Sequence, residues 1–203
     1  MVKLIVSGAL VYSTLLWSRG AQAQHWNLPA PLTSQSMEIT FELDTTWHTV
    51  EGKVKELSGA ARLVNPKDPR TITASLSIPV SALDTDSESR DEEMRESMEA
   101  SRFPSITVTV PSLSPGCEER SITADATCPY SSQGAVTIRD VTLPIQLSGT
   151  IRRGDAGSLI VEGNTSLDWS LFGVKDPSIL IAKVDEQVKI AFRILLPDTK
   201  KIR

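Results

Sequence analysis

A chain of 203 residues, 40% of them hydrophobic, is long enough for one domain with a substantial core. Its 21 basic and 25 acidic residues give a net charge of −4. That balance excludes a nucleic-acid partner gripped through phosphates and electrostatic docking on anionic lipid.

The chain opens with Lys3 and a 14-residue apolar stretch from Leu4 to Trp17, too short to span a bilayer comfortably. Ala21-Gln22-Ala23 then fits a small-x-small cleavage site. Residues 1–23 therefore read as a signal peptide cut before Gln24, with an uncleaved anchor as the alternative. Cleavage removes Lys3, Arg19 and no acid, leaving 19 basic and 25 acidic residues, a net charge of −6. The expected mature chain, 24–203, is a single periplasmic or secreted domain without stable membrane insertion, its core spanning 36–197.

After a Pro- and Ser-containing lead-in over 24–36, alternation with period two dominates. Met37, Ile39, Phe41 and Leu43 share one face, as do Ile72, Ala74, Leu76 and Ile78. Ile106, Val108 and Val110 alternate with threonines. Val141, Leu143, Ile145, Leu147, Gly149 and Ile151 continue the pattern, and Val188, Ile190, Phe192, Ile194 and Leu196 close it. Turn signals such as Asn65-Pro66, Pro115-Gly116 and Gly154-Asp155 separate the runs. One apolar face per strand means an antiparallel sheet buried on one side. Eight to ten such strands must close into a barrel or pack as a sandwich, and periodicity alone leaves both open.

Between two of these runs lies SALDTDSESRDEEMRESMEASRFPSI, residues 81–106, with eight acids and three arginines. Ser89 and Glu92 are spaced as a capping box, and acids crowd the first turn. Asp91 with Arg95, and Arg95 with Glu99, are opposite charges at i,i+4. Met94 and Met98 form a narrow apolar stripe, and Phe103-Pro104 ends the element. The expectation is a helix over 89–100 with Met94 and Met98 inward, Glu92, Glu93 and Glu96 in water, and a cost of about 1 kcal/mol for Ser89→Ala. Asp84-x-Asp86-x-Glu88 starts like a calcium loop, but Ser89 and Arg95 stand where that loop needs Gly and Glu. Glu92 and Glu96 on an open face lack the pocket an acid–base pair requires.

Cys117 and Cys128 are the only cysteines. In an exported chain ten intervening residues suit a stapled hairpin, so a disulfide with Cα atoms within about 7 Å is expected. The spacing does not suit a zinc knuckle. His25 and His48 are the only histidines, and no Gly-x-Ser-x-Gly, His-Glu-x-x-His or phosphate loop occurs. His48 reads as a strand histidine without a nucleophile partner. No catalytic residue, metal ligand or cofactor is assigned.

Four segments in order resemble the YceI-like family of exported bacterial proteins. They are Leu83-Asp84-Thr85 with Arg90-Asp91, Met94 and Phe103-Pro104; Trp47-His48-Thr49-Val50-Glu51-Gly52; Val136-Thr137-Ile138-Arg139-Asp140-Val141-Thr142; and Asp168-Trp169 with Phe172-Gly173-Val174 and Val184-Asp185-Glu186-Gln187-Val188. The resemblance runs from Met37 to Leu196. It implies an all-β, antiparallel lipocalin-like barrel with one inserted helix, holding a polyisoprenoid chain. The family's opening His-Ser is absent, Asp140 replaces a Gly at a turn where Asp tolerates the left-handed conformation, and the region from Pro115 to Gln133 is longer than the family's.

The expected function is to bind or carry a long apolar lipid, a polyisoprenoid or isoprenoid quinone, in the cell envelope. The alternatives are an enzyme acting on such a lipid in the same cavity, or a structural or adhesion module with a filled core. Phe41, Trp47, Phe103, Trp169, Phe172 and Phe192 are the aromatic candidates to line or plug the interior, and Ala74 is a small inward position. Trp169 and Phe172 also read as core aromatics. Met94 and Met98 read either as plain packing or as a mouth whose thioethers adapt to a lipid tail. The cavity is expected to be apolar, with polar groups only at a mouth. A homodimer is left open.

Overall fold

The computed structural model describes residues 28–65, 71–118, 121–176 and 183–197. The expected signal peptide and His25 lie outside the described residues. Among the described residues nine strands of six residues or more carry the fold: β2 (Met37–Thr45), β3 (Thr49–Val54), β4 (Ser58–Leu63), β5 (Ile72–Pro79), β7 (Ser105–Pro115), β8 (Cys128–Ile138), β9 (Val141–Arg153), β10 (Leu159–Asp168) and β11 (Val184–Leu196). Two short ones, β1 (Ala30–Thr33) and β6 (Leu83–Asp84), complete a single sheet in the order β1-β4-β5-β7-β8-β9-β10-β11-β2-β3-β6. Every pairing is antiparallel.

Chain connectivity forces this sheet to curl. Strands β3 and β4 lie near opposite ends of the order, yet only residues 55–57 join them. Four Cα steps reach roughly 15 Å, so the two ends must meet. The chain crosses the same seam again from β5 through a 3-10 turn at Val80–Ala82 into β6. There Lys55 N–H donates to the Ala82 carbonyl at 2.8 Å. Among the described residues β1 and β6 do not pair, which leaves a curled, incompletely closed barrel.

The alternation read from sequence sets the faces. In β8 every second residue from Cys128 through Ile138 is buried. The expected cysteine-bearing insertion therefore ends as strand: residues 128–133 pair with β9. Cys117 and Cys128 form the disulfide, with Cα atoms 5.7 Å apart. It closes the excursion between β7 and β8, whose Ile122 is buried in the same cluster as Leu32, Cys128, Ile151 and Leu159. These residues belong to the packed end of the barrel.

The one α-helix among the described residues, α1 (Glu88–Ser97), starts a residue earlier and ends three residues sooner than expected. Its N-cap is Ser87, and no side-chain cap bond forms, so the expected capping box at Ser89 is absent. Asp91 explains the shift. Its Oδ1 accepts from Thr85 N–H at 2.9 Å and from Thr85 Oγ1 at 2.7 Å, so the carboxylate reaches back to the preceding turn and fixes where the helix begins. Asp91 is buried, not part of the solvated face. Arg95 pairs with Glu88 at 3.0 Å, and Glu99 pairs with Arg139 at 2.9 Å, in place of the expected Asp91–Arg95–Glu99 ladder. Among the described residues no helix is long and apolar enough to cross a membrane.

Candidate functional site

The inward faces enclose a cavity of about 400 Å³ with an almost wholly apolar wall. Its depth can be followed along rows of paired residues. The first row, at the packed end, runs Cys128–Ile151–Val161–Ile194–Met37. The second runs Tyr130–Gly149–Gly163–Phe192–Ile39. Farther along, Thr165, Ile190, Phe41 and Gly52 share a row, and then Leu167, Val188, Leu43 and Val50. Glycine is required beside the aromatic side chains: a Cβ on Gly52 would lie 2.2 Å from the Phe41 ring. The bare glycine leaves the Phe41 ring room to lie across it.

Helix α1 covers the other end. Arg90, Glu93, Met94, Ser97 and Met98 border the cavity beside Thr85, Trp169 and Val174. Thr85 is clamped from both sides: besides its bonds to Asp91, its carbonyl accepts from Arg90 at 2.8 Å. The Asp84 carboxylate next to it is held below the usual carboxylate range by a hydrogen bond from Lys55, despite the opposing effect of its burial. Lys55 lies 2.9 Å from Asp84 and Lys53 3.4 Å, so β6 and the helix start are pinned to β3. At its C-terminal end the helix is fastened by Glu99–Arg139. Phe103 lies against two cations there, Arg102 at 4.8 Å and Arg139 at 5.4 Å from the ring centre.

Phe41, Ala74, Met94, Met98, Trp169 and Phe192 lie on the cavity wall. Three expected residues do not. Trp47 is 66% exposed, because the β2 alternation ends at Thr45 and the chain turns. Thr45 Oγ1 accepts from Trp47 and His48 N–H, which puts both residues in that turn. His48 accordingly sits outside the strand, exposed and away from the cavity. Phe103 belongs to the arginine stack outside the wall. Phe172 is fully buried in a 3-10 turn after β10, where Asp168 Oδ1 accepts from Ser170 N–H at 2.9 Å. At the β8–β9 turn the left-handed residue is Arg139, at φ 56°, not Asp140.

Sequence reasoning missed Tyr130, Thr165 and Thr85. Counting back by twos from Ile138 and Val136 lands on Tyr130; the intervening Gly134 and Ser132 hide that signal. Tyr130 also overturns the expectation of polar groups only at a mouth, because its hydroxyl sits in the second row from the packed end. Burial pushes its pKa well up, so it stays protonated.

The family model described as YceI-like domain matches residues 31–196. Among solved structures, BcnA of Burkholderia cenocepacia is 18% identical with a TM-score of 0.63, covering 78% of this chain and 95% of that one. A polyisoprenoid-binding domain from Saccharophagus degradans, implicated in plant cell wall breakdown, is 15% identical with a TM-score of 0.63, covering 82% and 97%. The Campylobacter jejuni YceI protein is 16% identical with a TM-score of 0.52, covering 72% and 83%. At these identities the likeness is one of fold. No curated protein matches the sequence.

Proposed function

The chain belongs to the YceI-like domain family, and on that premise we propose that it binds and carries a long apolar lipid, such as a polyisoprenoid or isoprenoid quinone, in the cell envelope. The carrying observation is the apolar cavity of about 400 Å³ inside the curled sheet. A structural module would fill that space with side chains; a carrier leaves it open. Binding draws on hydrocarbon burial, at roughly 25 cal/mol per Å² before association costs. The polyisoprenoid-binding domain with the same fold supports this ligand class. An envelope location agrees with the disulfide, which persists in oxidising compartments, and with the expected signal peptide.

Binding without catalysis is the reading the lining supports. His48 faces away, and the titratable side chains on the wall are Arg90, Glu93 and Tyr130. Arg90 is engaged with Thr85, Glu93 is exposed at the rim, and Tyr130 lies deep in the barrel. None of the three is paired with another as nucleophile and base.

Ala74 tests the proposal. It lies on the wall, paired with Ala61 and Val110. Ala74→Trp should fold and lose uptake of a fluorescent isoprenoid probe by at least about tenfold, because the indole occupies the ligand's volume. A folded variant that binds as wild type does would refute cavity binding.

A further inference from the structure

Two hydroxyls on the cavity wall have no hydrogen-bond partner among the described residues. Tyr130 Oη and Thr165 Oγ1 are both buried and unsatisfied, and both residues line the cavity. Tyr130 is only 5% exposed. A Cβ on Gly163 would lie 2.2 Å from Tyr130 Oη and 2.6 Å from the Phe192 ring. The tyrosine hydroxyl therefore hangs over the Gly163 backbone, two strands away from its own. Thr165 follows two residues along β10 on the same face, roughly 7 Å nearer the helix end.

Such groups lose their hydration on folding and gain nothing back unless something inside the cavity bonds to them. A water there has few partners, since it needs two to four polar ones and beyond Tyr130 Oη and Thr165 Oγ1 themselves the surrounding wall is Ile39, Phe41, Ile190 and Phe192. An amphiphile brings its own oxygen. We propose that the cavity selects a lipid bearing an uncharged hydrogen-bond acceptor, a hydroxyl or carbonyl oxygen, and carries that end down the barrel to accept from Tyr130 Oη.

This rests on the carrier reading and names the ligand class for it. The group must be uncharged, because among the described residues Arg90 is the only basic one on the wall and it stands at the helix, bonded to Thr85. A charge at the depth of Tyr130 would have no counter-ion. Thr165, on β10 two residues beyond Gly163, supplies a second hydroxyl, able to accept from an alcohol or donate to a carbonyl. The hydrocarbon then runs back toward α1, where Met94 and Met98 close over it.

The test compares geranylgeraniol with the matched hydrocarbon lacking its oxygen, by competition against a fluorescent isoprenoid probe. Wild type should bind the alcohol about tenfold tighter. Tyr130→Phe should bring the two affinities within about threefold while leaving the hydrocarbon unchanged. A second measurement needs no variant: the infrared carbonyl stretch of bound farnesylacetone should fall below its value in hydrocarbon solvent. Equal affinities for alcohol and hydrocarbon in wild type, or an unshifted carbonyl, overturn the proposal and leave the carrier reading standing. If wild type binds neither probe, both fall together.

Discussion

Thr85 and Asp91 show how one contact can outrank local spacing. By spacing, Asp91 is one more acid in a charged ladder; by contact, its Oδ1 takes both donors of Thr85 and is buried. A pairing between a turn and a helix six residues on leaves no periodic trace, so the sequence could not distinguish it from a solvated charge. Asp91→Ala should lower unfolding stability by about 2 kcal/mol, since it strands two buried donors. Ser89→Ala, off the cap, should stay within about 0.5 kcal/mol. Urea titration of both variants checks this, and a larger loss for Ser89→Ala would restore the capping box. Asp84 adds a pH dependence. Its folded pKa lies below the ordinary 3.8, chiefly through the Lys55 hydrogen bond. Its contribution is therefore present above that pH and fades as pH falls through the folded value. The stability gap between wild type and Asp84→Asn should narrow below about pH 4 in acid titrations followed by circular dichroism. A gap constant from pH 7 to 2 would mean the ion pairs with Lys53 and Lys55 contribute nothing. Asp44, also lowered by Thr49 and Lys189, should leave a residual slope in the variant.

Among the elements, strands were the most legible. Period-two alternation marked Met37–Leu43, Ile72–Ile78 and Val188–Leu196 as inward faces, because a half-buried strand cannot hide its pattern. Strand β8 was hidden because its inward set includes Ser132 and Gly134, and short β1 and β6 are too brief to show a period. The seam was also illegible, since it depends on which strands meet after the sheet curls. The helix was legible in kind, and its fastening was not. Glu99, at φ 52°, and Arg139, at φ 56°, sit in two turns forty residues apart in sequence and join the end of α1 to the β8–β9 turn. A double-mutant cycle with Glu99→Ala and Arg139→Ala should give a coupling of about 1 kcal/mol, because both side chains are largely buried. Either single variant should speed amide exchange in α1 and release of an isoprenoid probe together. Additive stability losses with unchanged probe release would show that the pair does not hold the helix over the cavity.

For the molecule as a whole, sequence alternation told which residues face inward but not whether they meet. That depends on curvature and side-chain reach: Gly52, Gly149 and Gly163 hollow the wall, Phe41 and Phe192 lean across it, and Leu32, Ile151 and Leu159 fill the packed end. The aromatic candidates divide along the same line. Phe41 and Phe192 stand on strands facing the cavity, and Trp169 reaches it from the first position of the 3-10 turn after β10, whereas Trp47, Phe103 and Phe172 lie in turns whose direction no period predicts. Four ordered segments made the family legible, because each marks a structural corner: the β2–β3 turn, the Thr85 clamp, the β8–β9 turn and the capped 3-10 turn after β10. If the molecule is a carrier, this cavity holds a lipid. Native mass spectrometry of the purified protein, followed by solvent extraction, tests it most directly. One apolar molecule per protein chain, released into the organic phase and missing from folded Ala74→Trp, is the predicted result. Wild-type protein that emerges empty and stays empty when incubated with polyisoprenoid would contradict the claim.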